Sequence, residues 1–239
     1  MVHRTEQPEG RRERKRAERS ERMAQAALEL VVEEGLEALT MQRLARKLDL
    51  AVGALYRYFP SKEALLAELQ RRVIGAFHED LRSELARLEP ALGRGRAAGL
   101  VPLVALAHLY FTWPERAPTQ FRLIALMVGD PRDVLPDLEA APNVARMLEL
   151  GADILGRFEA AVKRGALKPG SAGQRALFLW ASVHGLLQLR KLGRFDAGLF
   201  RGRELFSELL RTLLVGWGAR AEDFGAALQT LDTGKKERG

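Results

Sequence analysis

The chain of 239 residues contains no cysteine, which excludes disulfides and thiolate metal sites and suits a reducing, cytoplasmic compartment. Its four histidines, His3, His78, His108 and His184, nowhere stand at paired metal-ligand spacing. The run His78-Glu79-Asp80 lacks the second histidine that a zinc helix needs. Glycine-rich phosphate loops and nucleophile elbows are also missing, so no enzyme activity, metal or cofactor is expected. No stretch alternates apolar and polar residues with period two, which argues against strands. Apolar runs such as Leu100 to Leu109 are short and interrupted, so a membrane span is not expected. The opening residues, MVHRTEQPEGRRERKRAERSERM, are charged rather than apolar, unlike a secretory signal.

What is present is helix-forming. Alanine, leucine, glutamate and arginine dominate, and the chain reads as all-α. Apolar spacing of three and four predicts helices over residues 12–34, from Thr40 to Leu48, over 52–58, and from Ser61 to Leu88. Five more follow, at about 100–111, 117–128, 143–165, 172–192 and 200–217, separated by proline- and glycine-bearing turns. The two ends, 1–10 and 221–239, are polar or poorly patterned and are expected to be mobile tails. Net charge is +7, unevenly spread. Seven basic residues against three acids lie between Arg11 and Arg22, and five against Asp49 alone lie between Thr40 and Lys62. A polyanionic partner is expected.

Between Thr40 and Phe59 a helix, a tight turn and a very short helix sit among these basic residues. That spacing suits a helix-turn-helix, whose second helix has the width of a DNA major groove. Leu55 and Phe59 would anchor the short helix, leaving Val52, Gly53, Ala54, Arg57 and Tyr58 outward. Hydroxyls of Tyr56 and Tyr58, the charge of Lys62 and the amides near Thr40, Met41 and Gln42 could then meet phosphates. The competing reading is a three-helix core in which Tyr56 and Phe59 merely pack and the arginines are solvated.

Residues 22–69 resemble the DNA-binding domain of the TetR family of one-component transcriptional regulators. The resemblance rests on Ala27-Leu28, Gly35, Thr40, Leu44-Ala45, Leu50, Leu55-Tyr56, Tyr58-Phe59, Ser61-Lys62-Glu63 and Leu65-Leu66. It implies DNA contacts at Gln42, Val52, Gly53, Ala54, Tyr56, Tyr58 and Lys62; Thr40 and Arg57 join them from the residue reading above. Two positions depart from the family pattern: Asp49 stands where glycine is usual in the turn, and Ala51 where a serine or threonine often caps. The resemblance further implies a helix-turn-helix domain over 11–60 and a larger helical ligand-binding and dimerisation domain over 61–220.

Within that larger part, the stretch AGQRALFLWASVHGLLQLRKL is apolar on nearly every face and must be covered. The last predicted helix carries paired apolar residues from Leu205-Phe206 to Leu213-Leu214. Either the two helices complete a monomeric core, or one face meets a second copy; the resemblance implies a homodimer. It also implies a small-molecule effector, here apolar or amphipathic, with His108, Trp113, Phe121, Arg122, Trp180, His184 and Gln188 as candidate contacts. Aromatic side chains at helical spacing are more often core than ligand site. His184 and Gln188, one turn apart on an apolar helix, are the exceptions, and Arg122 needs a countercharge if buried. The function expected is that of a DNA-binding regulator, a repressor released from a palindromic operator, with an activator or a ligand-independent DNA-binding protein as the alternative and a helical-bundle enzyme ranked behind both.

Overall fold

The structure, a computed structural model, describes residues 8–129, 137–196, 198 and 200–236, and among these there is no strand. Its helices are α1 (Pro8–Glu34), α2 (Met41–Lys47), α3 (Val52–Tyr56), α4 (Lys62–Leu88), α5 (Ala97–Arg116), α6 (Pro118–Gly129), α7 (Asp137–Lys163), α8 (Ala172–Leu189), α9 (Gly202–Gly216) and α10 (Ala221–Lys236). They divide into two compact units. One takes the chain up to Val73 together with Ala117–Ala145; the other takes Ile74–Arg116 and the chain from Arg146.

In the first unit, α1 buries Met23, Ala24, Ala27, Leu30 and Val31, and packs against α2 and α6. Thr40 caps α2 by accepting a hydrogen bond from the Arg43 amide at 3.1 Å, and Ser61 caps α4 by accepting from the Ala64 amide at 2.9 Å. Both caps satisfy an amide that the first helical turn leaves unpaired. Helix α2 ends in a Schellman turn. The Leu50 amide donates to the Ala45 carbonyl at 2.9 Å, and the Asp49 amide to Arg46 at 3.2 Å. Asp49 takes the left-handed conformation this turn demands, with φ 53°. The backbone thus keeps the geometry for which glycine is the usual choice, and aspartate is among the few side chains that accept it.

In the second unit α5 is central, packing against α8, α9 and α10. Its 20 residues are long and apolar enough to cross a membrane by length and composition, more than the run from Leu100 to Leu109 suggested. Here 72% of that apolar stretch is buried inside the protein, so packing against three helices accounts for its character. The expected mobile tail 221–239 is corrected by α10. Phe224, Ala227 and Leu231 share one helical face and are buried, with α10 running along α5. Residues 237–239 and 1–7 lie outside the described residues, while α1 already begins at Pro8. The expected domain boundary at 60 also shifts: the first unit includes the start of α4 as far as Val73, and α6 besides. The reason is packing, because Leu65, Leu66 and Leu69 of α4 are buried and α6 lies on α1.

Candidate nucleic-acid interface

Helix α3 has five residues and could not hold its turns alone. One side chain fixes it. Leu55 is fully buried, and its carbonyl accepts the amides of Tyr58 and Phe59, each at 2.9 Å, while Phe59 is itself buried. The rest of the element faces outward: Gly53, Tyr56 and Arg57 are exposed, and Val52, Ala54 and Tyr58 are half-buried. Thr40 and Gln42 on the α2 side are exposed, and Lys62 is half-buried at the start of α4. All nine residues proposed to meet DNA therefore lie in the first unit, with some surface open on each.

The glycine at 53 is informative. Its φ is not in the left-handed region, and a Cβ added there would meet nothing within 4 Å. Neither backbone geometry nor packing requires glycine, although glycine in a helix costs up to about 1 kcal/mol relative to alanine. A bare backbone at that point leaves room for close approach from outside the molecule.

Charge in this region is of two kinds. Arg43 pairs with Glu34, and the Lys47 ammonium lies 3.4 Å from Glu29 and 3.7 Å from Glu33, so these cations tie α2 to α1. Arg46, Arg57 and Lys62 have no acidic partner among the described residues, and their charge is open to an anion. Ala51 precedes α3 without a side-chain cap, as its methyl group dictates.

The seven effector candidates are divided between the two units. Phe121 and Arg122 lie on α6 in the first unit, and Arg122 is exposed rather than a buried charge awaiting a partner. Trp113 is fully buried in the second unit, its ring edge-on to Phe77 and its Nε1 donating to Asp80 Oδ2 at 3.3 Å, which makes it core. His108 on α5 lies edge-on to Phe206 of α9 at 6.3 Å. The remaining three form a cluster on α8. Trp180 stacks on His184 at 5.5 Å, Gln188 Nε2 lies 3.2 Å from His184 Nε2, and Tyr110 Oη lies 2.8 Å from His184 Nδ1. Both ring nitrogens of His184 are thereby engaged, one by Tyr110 and the other by Gln188. Burial holds the His184 pKa below its ordinary value and pushes that of Tyr110 up to about 12.

Two features had no signal in the residue pattern. Asn143 is buried and donates from Nδ2 to Gln70 Oε1 at 2.7 Å, while its Oδ1 is left without a hydrogen-bond partner. In the second unit an open groove of about 320 Å³ runs between the start of α5 and the later part of α7, over Ala98, Gly99, Pro102, Gly156 and Ala160. Among the described residues, no three histidine, aspartate or glutamate side chains are grouped to hold a metal ion.

Residues 24–69 match the model for bacterial regulatory proteins of the tetR family, and residues 103–213 match a tetracyclin repressor-like C-terminal domain. The chain belongs to the tetR family of bacterial regulatory proteins. This TetR-family chain is 35% identical over 89 residues to the HTH-type transcriptional repressor KstR of Mycobacterium tuberculosis, covering 37% of its own length and 36% of the repressor's. It is 39% identical over 56 residues to the nucleoid occlusion factor SlmA of Actinobacillus pleuropneumoniae, covering 22% of this chain and 28% of that one. The chain thus spans between about a quarter and two fifths of the length of the curated relatives it matches. Among solved structures it resembles the candidate regulatory protein SCO4313 at 26% identity and a TM-score of 0.60, covering 84% of this chain and 98% of that one.

Proposed function

We propose that the protein is a homodimeric, cytoplasmic transcriptional repressor. It reads a palindromic operator through α2, the Asp49 turn and α3, and an apolar or amphipathic small molecule releases it. The observation that carries the DNA-binding part is Gly53: an exposed helical glycine that the fold does not need, beside the unpaired cations Arg57 and Lys62. In this reading the backbone at Gly53 approaches base edges, Arg57 and Gln42 read bases, and Thr40, Tyr56, Tyr58 and Lys62 hold phosphates. Val52 and Ala54 supply small apolar contacts. Repression follows the relative named a transcriptional repressor.

Dimerisation is supported by α8, which leaves Leu177, Phe178 and Leu189 about half exposed in the single chain. The effector reading is supported by the aromatic cluster of Trp180, His184 and Gln188, which combines an apolar surface with few polar groups. The likeness to a nucleoid occlusion factor supports a second reading, in which the same helix-turn-helix binds DNA without regulating a promoter.

Selection of genomic DNA fragments by the purified protein tests both. A repressor is expected to enrich a few palindromes at promoters, and an occlusion-type protein many sites scattered elsewhere. Gly53→Leu is expected to keep or slightly raise the melting temperature and to weaken binding to the selected duplex at least tenfold. Unchanged binding would remove the helix-turn-helix assignment.

A further inference from the structure

Among the described residues, a dense run of cations lies on α1, outside the α2–α3 pair. From Arg11 to Arg19 no side chain of α1 is even half-buried, so this stretch of helix covers no core. It nevertheless carries Arg11, Arg12, Arg14, Lys15, Arg16 and Arg19, with Arg22 one turn beyond. Arg14 lies 3.8 Å from Glu18; the other six cations have no acidic partner among the described residues.

The charges are sorted around the helix. At 3.6 residues per turn, Arg12, Lys15, Arg16 and Arg19 fall within a sector of about 100°, with Arg11 and Arg22 along its edge. Glu13, Glu18 and Glu21 project elsewhere, where Glu18 meets Arg14 and Glu21 pairs with Arg72. Like charges crowded along one sector repel, and helix intrinsic preference does not require that arrangement.

The sector adjoins the surface already assigned to DNA. The Arg16 guanidinium stands 5.9 Å over the ring of Tyr58, two residues past the end of α3. Arg12 to Arg19 spans about 10 Å of helix axis, and a duplex presents one phosphate charge per about 1.7 Å of its own axis. Arginine and lysine with no amide or aromatic between them suit phosphates, which fix position without reading sequence.

We propose that the Arg12, Lys15, Arg16 and Arg19 sector of α1 is a second duplex-binding surface, holding the phosphate backbone that flanks the site read by α3. It rests on the DNA-binding reading above and deepens it. The surface adds affinity and salt dependence, and it leaves the choice of sequence to α3.

The test uses the full-length protein and its R12Q/K15Q/R19Q variant; Arg16 is kept because it touches Tyr58. Both are titrated, across a salt series, with a duplex selected from a random pool and with a random-sequence duplex. Each duplex is made in a core form and in a form longer by about 10 base pairs at either end. On the long duplexes the variant is expected to show a salt slope shallower by about 0.9 per lost contact. On the core duplex its affinity is expected within twofold of the parent, with the same preference for selected over random sequence and the same melting temperature. Equal salt slopes for parent and variant on the long duplexes would overturn the proposal. So would variant-sensitive binding to phosphatidylglycerol vesicles with an unchanged DNA slope, which would assign the cations to a membrane surface. If the parent itself shows no preference for the selected duplex, the operator-reading function falls and this surface has no site to flank.

Discussion

Lys62 and Arg57 are both unpaired cations beside α3, yet they should act differently on DNA. Lys62 opens α4 and offers a point charge suited to phosphate, whereas Arg57 follows α3 and can reach base edges with a planar fork. Lys62→Ala is therefore expected to weaken all duplexes about equally and flatten the salt slope by roughly one unit per lost contact. Arg57→Ala and Gln42→Ala should instead relax preference at particular base pairs, by about 1–3 kcal/mol each. Fluorescence titration against a panel of single-base variants separates the two behaviours. A second residue-scale prediction concerns His184, whose folded pKa lies below the ordinary value of 6.5 because of burial. The unfolded chain then binds more protons than the folded one as pH falls through 6.5, so acidification removes stability. Urea midpoints for the parent are expected to fall from pH 7 toward pH 5, and His184→Gln should flatten that decline; parallel curves would contradict it. The outward positions on and around α3 were legible in the sequence because they lie within two dozen positions of one another. The Tyr110 partner of His184 was not, since 74 residues separate them and only packing of α5 on α8 brings them together. Asp49 shows a subtler case. Its identity departs from the usual glycine, but the left-handed backbone is kept, because the turn between α2 and α3 depends on φ rather than on the side chain.

At the scale of elements, helices with a hydroxyl cap and a regular apolar stripe were legible, and α2 and α4 begin where Thr40 and Ser61 place them. Helix α10 was not. Its core contacts are Phe224, Ala227 and Leu231, diluted by glycines, an acidic start and a polar end, so its pattern reads as a tail. What makes it a helix is α5, whose apolar surface exceeds what α8 and α9 cover. That account has a measurable consequence. Phe224→Ala removes a buried ring from this contact and is expected to cost about 3–5 kcal/mol in urea unfolding. An effect under about 0.5 kcal/mol would mean that α10 is dispensable to the second unit, as a surface substitution would be. Helix α5 makes the complementary point: composition alone fits it to a bilayer, and only its burial by three helices distinguishes a core helix from a span.

For the whole molecule, an effector and a partner copy remain to be placed, and α8 bears on both. Trp180 is partly exposed and stacked on His184, unlike the fully buried Trp113. Trp180→Ala is therefore expected to leave the melting temperature and the ligand-free DNA affinity nearly unchanged, while shifting the concentration at which apolar compounds release DNA. Such release needs unequal affinity of the compound for two conformations, about 1–3 kcal/mol for a 5–150-fold effect. An unchanged response would move the effector site elsewhere, with the unpartnered acceptor of Asn143 as the next place to probe. The same helix turns Leu177 and Phe178 outward, at 57% and 55% exposure, on a face too apolar to be left in water. A second copy meeting that face through a two-fold axis would present two α3 helices related by the same axis, so half-sites must be palindromic and a whole number of helical turns apart, about 10–10.5 base pairs or a multiple. Leu177→Glu with Phe178→Glu places like charges against one another in such an interface, a cost of several kcal/mol if it closes. Sedimentation is expected to show the parent as a dimer at micromolar concentration and the double variant as a monomer. The monomer should keep its salt-dependent binding to random DNA, which needs only one set of cations, and lose its preference for the full palindrome over a single half-site. A variant that stays dimeric, or a parent whose selected sites have no dyad, would place the dimer contact on another face or remove it altogether.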